Sequence, residues 1–211
     1  MRNLKAHIRR MVSIEVPDEK TGIPKLKRMN KMLDAVYRTV MQKGTDYDTL
    51  PGSSKPILLK PGAELLARHF DLVADTKILN GVEKMEQDVP YFQYDAECRL
   101  FNSRGTFVGN GVGSCNTGEP QYAHMWVFLE DLPKTIKNPE ELETRDIGRV
   151  KQFRVPLSRE EAFGLVNTIR KKAKKRAFVD AVLQVTSSSR LFTQDIVDSK
   201  DDDDDGKGSG S

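Results

Sequence analysis

The sequence predicts an α+β fold, an antiparallel β-meander with a long basic helix packed across it and N-terminal helices before it. Three observations lead there. Period-two alternation with turn residues occupies roughly 74–116, a capped helical stretch follows at 158–185, and helical spacing governs the segments before residue 70. The order helix, helix, sheet, helix is that of an α+β domain; repeated βαβ units would interleave strands and helices.

The opening "MRNLKAHIRRMVSIEV" is mixed and basic, and residues 1–24 read as an N-terminal extension in which "PDEKTG" is a turn. A core domain is expected over 25–195. In "IPKLKRMNKMLDAVYRTVMQKG" the apolar Met29, Met32, Leu33, Val36, Tyr37 and Val40 recur at helical spacing, with Gly44 as a stop. "TDYDTLPGSSKPILL" reads as a loop from its Pro, Gly and Ser. Pro61 in "KPGAELLARHFDLV" suits a first helical turn, with Leu65, Leu66, His69 and Phe70 expected to face inward.

From Ala74 the period changes. Asn80-Gly81 is the dipeptide favoured in tight hairpins, and Asn102-Ser103-Arg104-Gly105 separates two further extended runs. Tyr94, Ala96, Cys98 and Leu100 alternate with Gln93, Asp95, Glu97 and Arg99, so one face is expected to be buried and the other wet. In the next arm Gly109, Gly111 and Gly113 strip one face of side chains, which lets another backbone or a ligand approach closely. That arm has no charge between Thr106 and Asn116, an edge that invites a neighbouring chain. The stretch from Gln121 to Arg154 is too irregular to assign. After it, Ser158 and Glu161 form a capping box that opens a long helix, with a kink expected near Gly164.

The functional question lies in that helix. "NTIRKKAKKRAFVDAVLQV" places six cations in seven residues, Arg170 to Arg176, and runs directly into apolar sequence, so the cations are fixed on a folded surface. On a helical wheel Val166, Ile169, Ala173, Ala177 and Ala181 share one stripe whose small residues allow close docking on a sheet. Cations then project on either side: Arg170 and Lys174 along one flank, Lys172 and Arg176 along the other, Lys171 and Lys175 opposite. Such spacing neutralises successive phosphates through counterion release. A solvated face, or a nuclear localisation signal, is the plainer reading of the same run.

Charge points the same way. The chain has 34 Lys and Arg against 31 Asp and Glu, a net charge of +3. Its last 17 residues carry seven Asp against two Lys, so the rest of the chain is +8. A basic body with an acidic appendage suits a polyanionic partner, and the acidic Gly/Ser tail at 196–211 is expected to be disordered. Tyr91 and Tyr122, beside prolines or polar residues, are the aromatics best placed for stacking on bases.

Other chemistries find little support. No glycine-rich phosphate loop followed by Lys-Ser or Lys-Thr occurs. His7, His69 and His124 lie far apart and Cys98 and Cys115 have no partners at ligand spacing, so no metal or other cofactor is expected. Asp88, Asp95 and Glu97 keep a Mg²⁺-dependent nuclease as a third reading, but Asp95 and Glu97 alternate onto the expected wet face. Two thiols out of register, no membrane-spanning segment and no signal peptide point to a reducing cytoplasm.

The helix "RKKAKKRAFVDAVLQVTSSSRLFTQDI", preceded by "YDAECRLFNSRGTFVGNGVGSC" and by "LLKPGAELLARHFDLV", resembles the RecT/Redβ group of phage and mobile-element single-strand annealing proteins over roughly Lys55 to Asp198. Arg170, Lys171, Lys174 and Arg176 occupy the matching positions of that group's basic helix. The resemblance implies a non-enzymatic, ATP-independent DNA recombination protein of a bacterial host cytoplasm. It would form rings or helical filaments and hold single-stranded DNA extended in a positive groove for annealing. A phage exonuclease or a host single-strand binding protein would be its protein partner. Lys172, Lys175, Lys55, Lys60 and Arg154 complete the candidate DNA contacts. The alternative from the residues themselves is an interaction protein whose basic helix docks an acidic partner.

Overall fold

The computed structural model describes residues 19–50 and 53–194. Most of the N-terminal extension, Asp195 and the acidic tail lie outside the described residues. The chain divides into two compact units, 1–41 and 42–211, a division that falls after Met41 where the sequence placed one at residue 24. In the first unit, α1 (Glu19–Thr39) begins four residues before the expected start at Ile23, so the turn assigned to "PDEKTG" gives way to helix from Glu19 onward. Pro24 lies within it at the cost of one backbone bond. A single glycine and good helix formers around it are too weak a signal to stop the helix there.

The second unit opens with β1 (Tyr47–Asp48) and β2 (Ile57–Leu58), a two-residue antiparallel ribbon inside the segment expected to be loop. Its stability comes from the far end of the chain. Leu58 N–H donates to Thr193 O at 3.0 Å, Thr193 N–H donates to Pro56 O at 2.9 Å, and buried Phe192 packs its ring 6.1 Å from that of Tyr47. The helix α2 (Lys60–His69) follows, with Pro61 in its first turn as expected. Its inward face is Ala63, Leu66 and Ala67, while His69 is exposed, so the expected apolar face is rotated toward the small residues.

The meander is β3 (Leu72–Lys84), β4 (Tyr91–Asn102) and β5 (Phe107–Asn116), antiparallel and in that order. The Asn80-Gly81 hairpin is not formed. β3 continues through it after a bulge between Ile78 and Asn80, and the reversal comes at residues 85–90, where Lys84 pairs with Tyr91. Gly81 lies opposite Tyr94, and a Cβ placed on it would come within 2.9 Å of the Tyr94 ring. The glycine makes room for an aromatic ring instead of turning the chain. The second turn is as read: Asn102 Oδ1 accepts from the backbone N–H groups of Arg104 and Thr106, both at 3.0 Å, and Gly105 has φ +74°.

The unassigned region forms a second antiparallel sheet of β6 (His124–Phe128), β7 (Thr144–Ile147) and β8 (Val150–Pro156), ordered β6-β8-β7. The long helix α3 (Arg159–Val185) then opens on the expected capping box: Glu161 N–H donates to Ser158 Oγ at 3.3 Å and Ser158 N–H to Glu161 Oε2 at 3.0 Å. It runs unbroken through Gly164, where an added Cβ would find open space.

The core forms where α3 lies across the meander. Ile169, Ala173, Ala177 and Ala181 are fully buried, as are Ala96, Cys98 and Leu100 of β4, and Cys115 of β5. Gln93, Asp95 and Glu97 lie on the opposite, more open face. The glycines of β5 admit the backbone of α3 itself: a Cβ on Gly111 would collide with Ala181 N and one on Gly113 with Ala177 N. The close approach expected there is therefore made within the chain. The outer edge of β5 is also partly occupied. Val112 N–H donates to Asp180 Oδ2 at 2.8 Å, Ser114 O accepts from Arg176 Nη1 at 2.5 Å, and Asn116 N–H donates to Glu119 Oε1 at 3.2 Å. Side-chain coverage of this kind blunts strand addition.

Candidate nucleic-acid interface

Helix α3 presents its buried stripe to the meander, so the residues on its flank toward α2 form one wall of a groove. The other wall is α2 and the floor is β3. Lys171, Lys172, Lys174 and Lys175 of α3 and Lys60 of α2 line this space of about 670 Å³, with Ala74 and Thr76 of β3, Thr168 and Phe178 of α3, and Glu64 of α2. Lys171 and Lys174 are exposed, whereas Lys172 and Lys175 are half-buried. Lys60 Nζ donates to Glu64 Oε1 at 2.5 Å across one helical turn. Burial, then the ammoniums of Lys172 and Lys60, draw the Lys175 pKa below its ordinary value. The groove is thus positively charged, lined partly by apolar surface, and open to solvent.

The structure separates the remaining candidates from this groove. Arg176 forms a bidentate pair with Glu119, Nη1 to Oε1 at 2.7 Å and Nη2 to Oε2 at 2.8 Å, and so ties α3 to the segment after β5. Burial alone would raise the Glu119 pKa, but hydrogen bonds from Arg176, Gln121 and the Asn116 backbone outweigh it and hold the carboxyl at about 2. Arg170 places its guanidinium 5.1 Å from the centroid of buried Tyr94. The Tyr94 hydroxyl donates to Glu83 Oε1 at 2.5 Å; burial, reinforced by this carboxylate, pushes its pKa up to about 12. Arg154 belongs to the second sheet, where Nη1 donates to Glu143 Oε2 at 2.5 Å. Lys55 precedes β2 and is not among the groove-lining residues.

Neither tyrosine singled out for stacking faces the groove. Tyr91 lies on the meander face turned away from α3, its hydroxyl donating to Gln93 Oε1 at 2.8 Å and Lys84 Nζ lying 5.8 Å from its ring centroid. Tyr122 is half-buried, and burial, together with the neighbouring Cys115 and Glu119, raises its pKa to about 12. The aromatic side chain lining the groove is Phe178, which belongs to the apolar run directly after the cations. Its position one turn from Lys174 and Lys175 was readable, but its direction depended on where α2 packs.

A second cavity, of about 730 Å³ beside β6 and β8, has Arg149 and Lys151 as its cations with Glu130 also present, a weaker positive field than the lysine groove. Among the described residues no three His, Cys, Asp or Glu side chains group as metal ligands, and Asp95 and Glu97 accept from the amides of Gln93 (3.3 Å) and Asn110 (2.7 Å). Among those residues, too, no helix is long and apolar enough to cross a membrane. Comparison with protein-family models, with curated proteins and with solved structures finds no match to this chain.

Proposed function

We propose that this protein binds single-stranded DNA in the groove between α2 and α3 and anneals complementary strands without ATP. The observation that carries the reading is the convergence of Lys60, Lys171, Lys172, Lys174 and Lys175 on one open groove with apolar surface beside them. The four α3 lysines make no ion pair or hydrogen bond among the described residues, so they are available to phosphates. Cations that track a backbone, with an aromatic side chain among them, are the elements that bind single strands without sequence preference. The resemblance to RecT/Redβ annealing proteins supports annealing as the outcome of that binding.

The test replaces Lys171, Lys172, Lys174 and Lys175 with Ala and follows a labelled oligonucleotide by fluorescence anisotropy at several salt concentrations. Each lost phosphate contact removes about 0.7 from the logarithmic salt slope, so the quadruple variant flattens it by up to about 2.8. Annealing of complementary oligonucleotides, followed by energy transfer without ATP, should fall in parallel. An unchanged slope removes the groove from the binding site. Wild-type protein that binds no oligonucleotide returns the basic helix to the role of docking an acidic protein.

A further inference from the structure

The five groove lysines are not equivalent. Lys171 and Lys174 are exposed on the outer wall, while Lys172 and Lys175 are half-buried and Lys60 reaches the same space from α2. Both Lys172 and Lys60 lie close enough to Lys175 to disfavour its charged form. Among the described residues lining the groove, Glu64 alone is acidic, and its carboxylate is engaged by Lys60. Three ammoniums with only one carboxylate among them leave an excess of positive charge in a partly desolvated space, and the repulsion among the ammoniums is relieved when an anion enters. Thr168, exposed on the α3 wall, lines the same space and adds a hydroxyl donor.

We propose that Lys60, Lys172 and Lys175 form one discrete seat for a phosphodiester phosphate, and that Glu64 is the internal counter-ion which that phosphate displaces from Lys60. The proposal rests on the nucleic-acid reading above and makes it specific. One phosphate sits at a fixed position and sets the register of the strand, while Lys171 and Lys174 contribute through the longer-range field. Glu64 holds Lys60 in place when the groove is empty and weakens binding by competing for it, so a strand must offer a correctly placed phosphate to release it.

The experiment uses the full chain, a fluorescein-labelled oligothymidylate and anisotropy over a salt series, with far-UV circular dichroism to establish that each variant is folded. Lys175→Gln and Lys171→Gln each remove one charge, but Lys175→Gln should weaken binding severalfold more. Glu64→Gln should tighten binding roughly two- to fivefold, the ratio matching an exposed ion pair, and steepen the logarithmic salt slope by up to about 0.7. Lys60→Ala in the Glu64→Gln background should abolish that gain. Equal losses for the two lysine variants, or a Glu64→Gln variant indistinguishable from wild type, overturn the seat. If the quadruple lysine variant still loses binding in that case, the groove remains the interface and only the discrete seat falls; if it binds as wild type does, both readings fall.

Discussion

Replacing Gly111 with Ala is the most direct test of how the lysine helix is held. Gly111 lies on β5 beneath α3, and its new Cβ would meet Ala181 N, Ala181 Cα at 2.6 Å and Ala177 O at 2.8 Å. All three are backbone atoms of α3, so no side chain can rotate away. Ordinary carbon contacts begin near 3.5 Å, and the helix must therefore retreat by about an ångström along its length or the strand must bend. Overpacking a tight interface costs about 1–3 kcal/mol, occasionally more, and this rigid case belongs at the upper end. Since 1 kcal/mol shifts Tm by about 2–4 °C in a protein of this size, Gly111→Ala should lower Tm by roughly 6–12 °C. Gly164 is the control: it sits within α3 with nothing near its missing Cβ, so Gly164→Ala should stabilise the helix by up to about 1 kcal/mol and raise Tm by about 2–4 °C. Thermal unfolding followed at 222 nm (about 208–222 nm is the helix band) reads both. A Gly111→Ala variant as stable as wild type would refute the close docking of α3 on β5.

Glu119 provides a pH test. Its folded pKa of about 2 lies below the ordinary 4.5, so the stability from its pair with Arg176 is present above about pH 4.5 and is lost as pH falls toward 2. Glu119→Gln should lower Tm at pH 7 and shrink the difference from wild type as the buffer approaches pH 2; a constant difference across that window argues against the ion pair as the cause. Asp180→Ala removes the acceptor from the Val112 N–H and should increase concentration-dependent association through the β5 edge, read as mass by light scattering; unchanged mass means that edge is protected by other means. Burial raises the thiol pKa of Cys98 and lifts that of Cys115 to about 11, so neither should react promptly with a thiol reagent at pH 8 until the protein is unfolded. Rapid stoichiometric labelling of native protein would contradict their burial.

Local pattern carried the elements whose signals are short-range. The capping box at Ser158 and Glu161, the alternation of Tyr94, Ala96, Cys98 and Leu100, and the small-residue stripe of α3 are each readable within one or two turns or pleats. The glycine triad of β5 also announced a close approach, because removing side chains from one strand face has that consequence whatever arrives there. Its partner, α3, was settled only by packing across more than sixty residues of sequence (Gly111 to Ala177 and Ala181). The second sheet escaped the sequence because β7 is exposed along its whole length and the buried positions of β8 include Gln152, so neither carries a clean apolar alternation.

The sequence by itself determined a capped, cation-rich helix with a small-residue stripe suited to docking on a sheet, and a strand stripped of side chains on one face. Only the tertiary structure decided which of those cations are available to a ligand. Arg176 and Lys175 are neighbours in one basic run, yet the first is paired with Glu119, 57 residues earlier, and the second opens into a groove walled by α2. Helical spacing sets the direction in which each side chain leaves α3. Whether a carboxylate, a ring or open solvent waits there depends on long-range pairing, which one-dimensional periodicity does not contain.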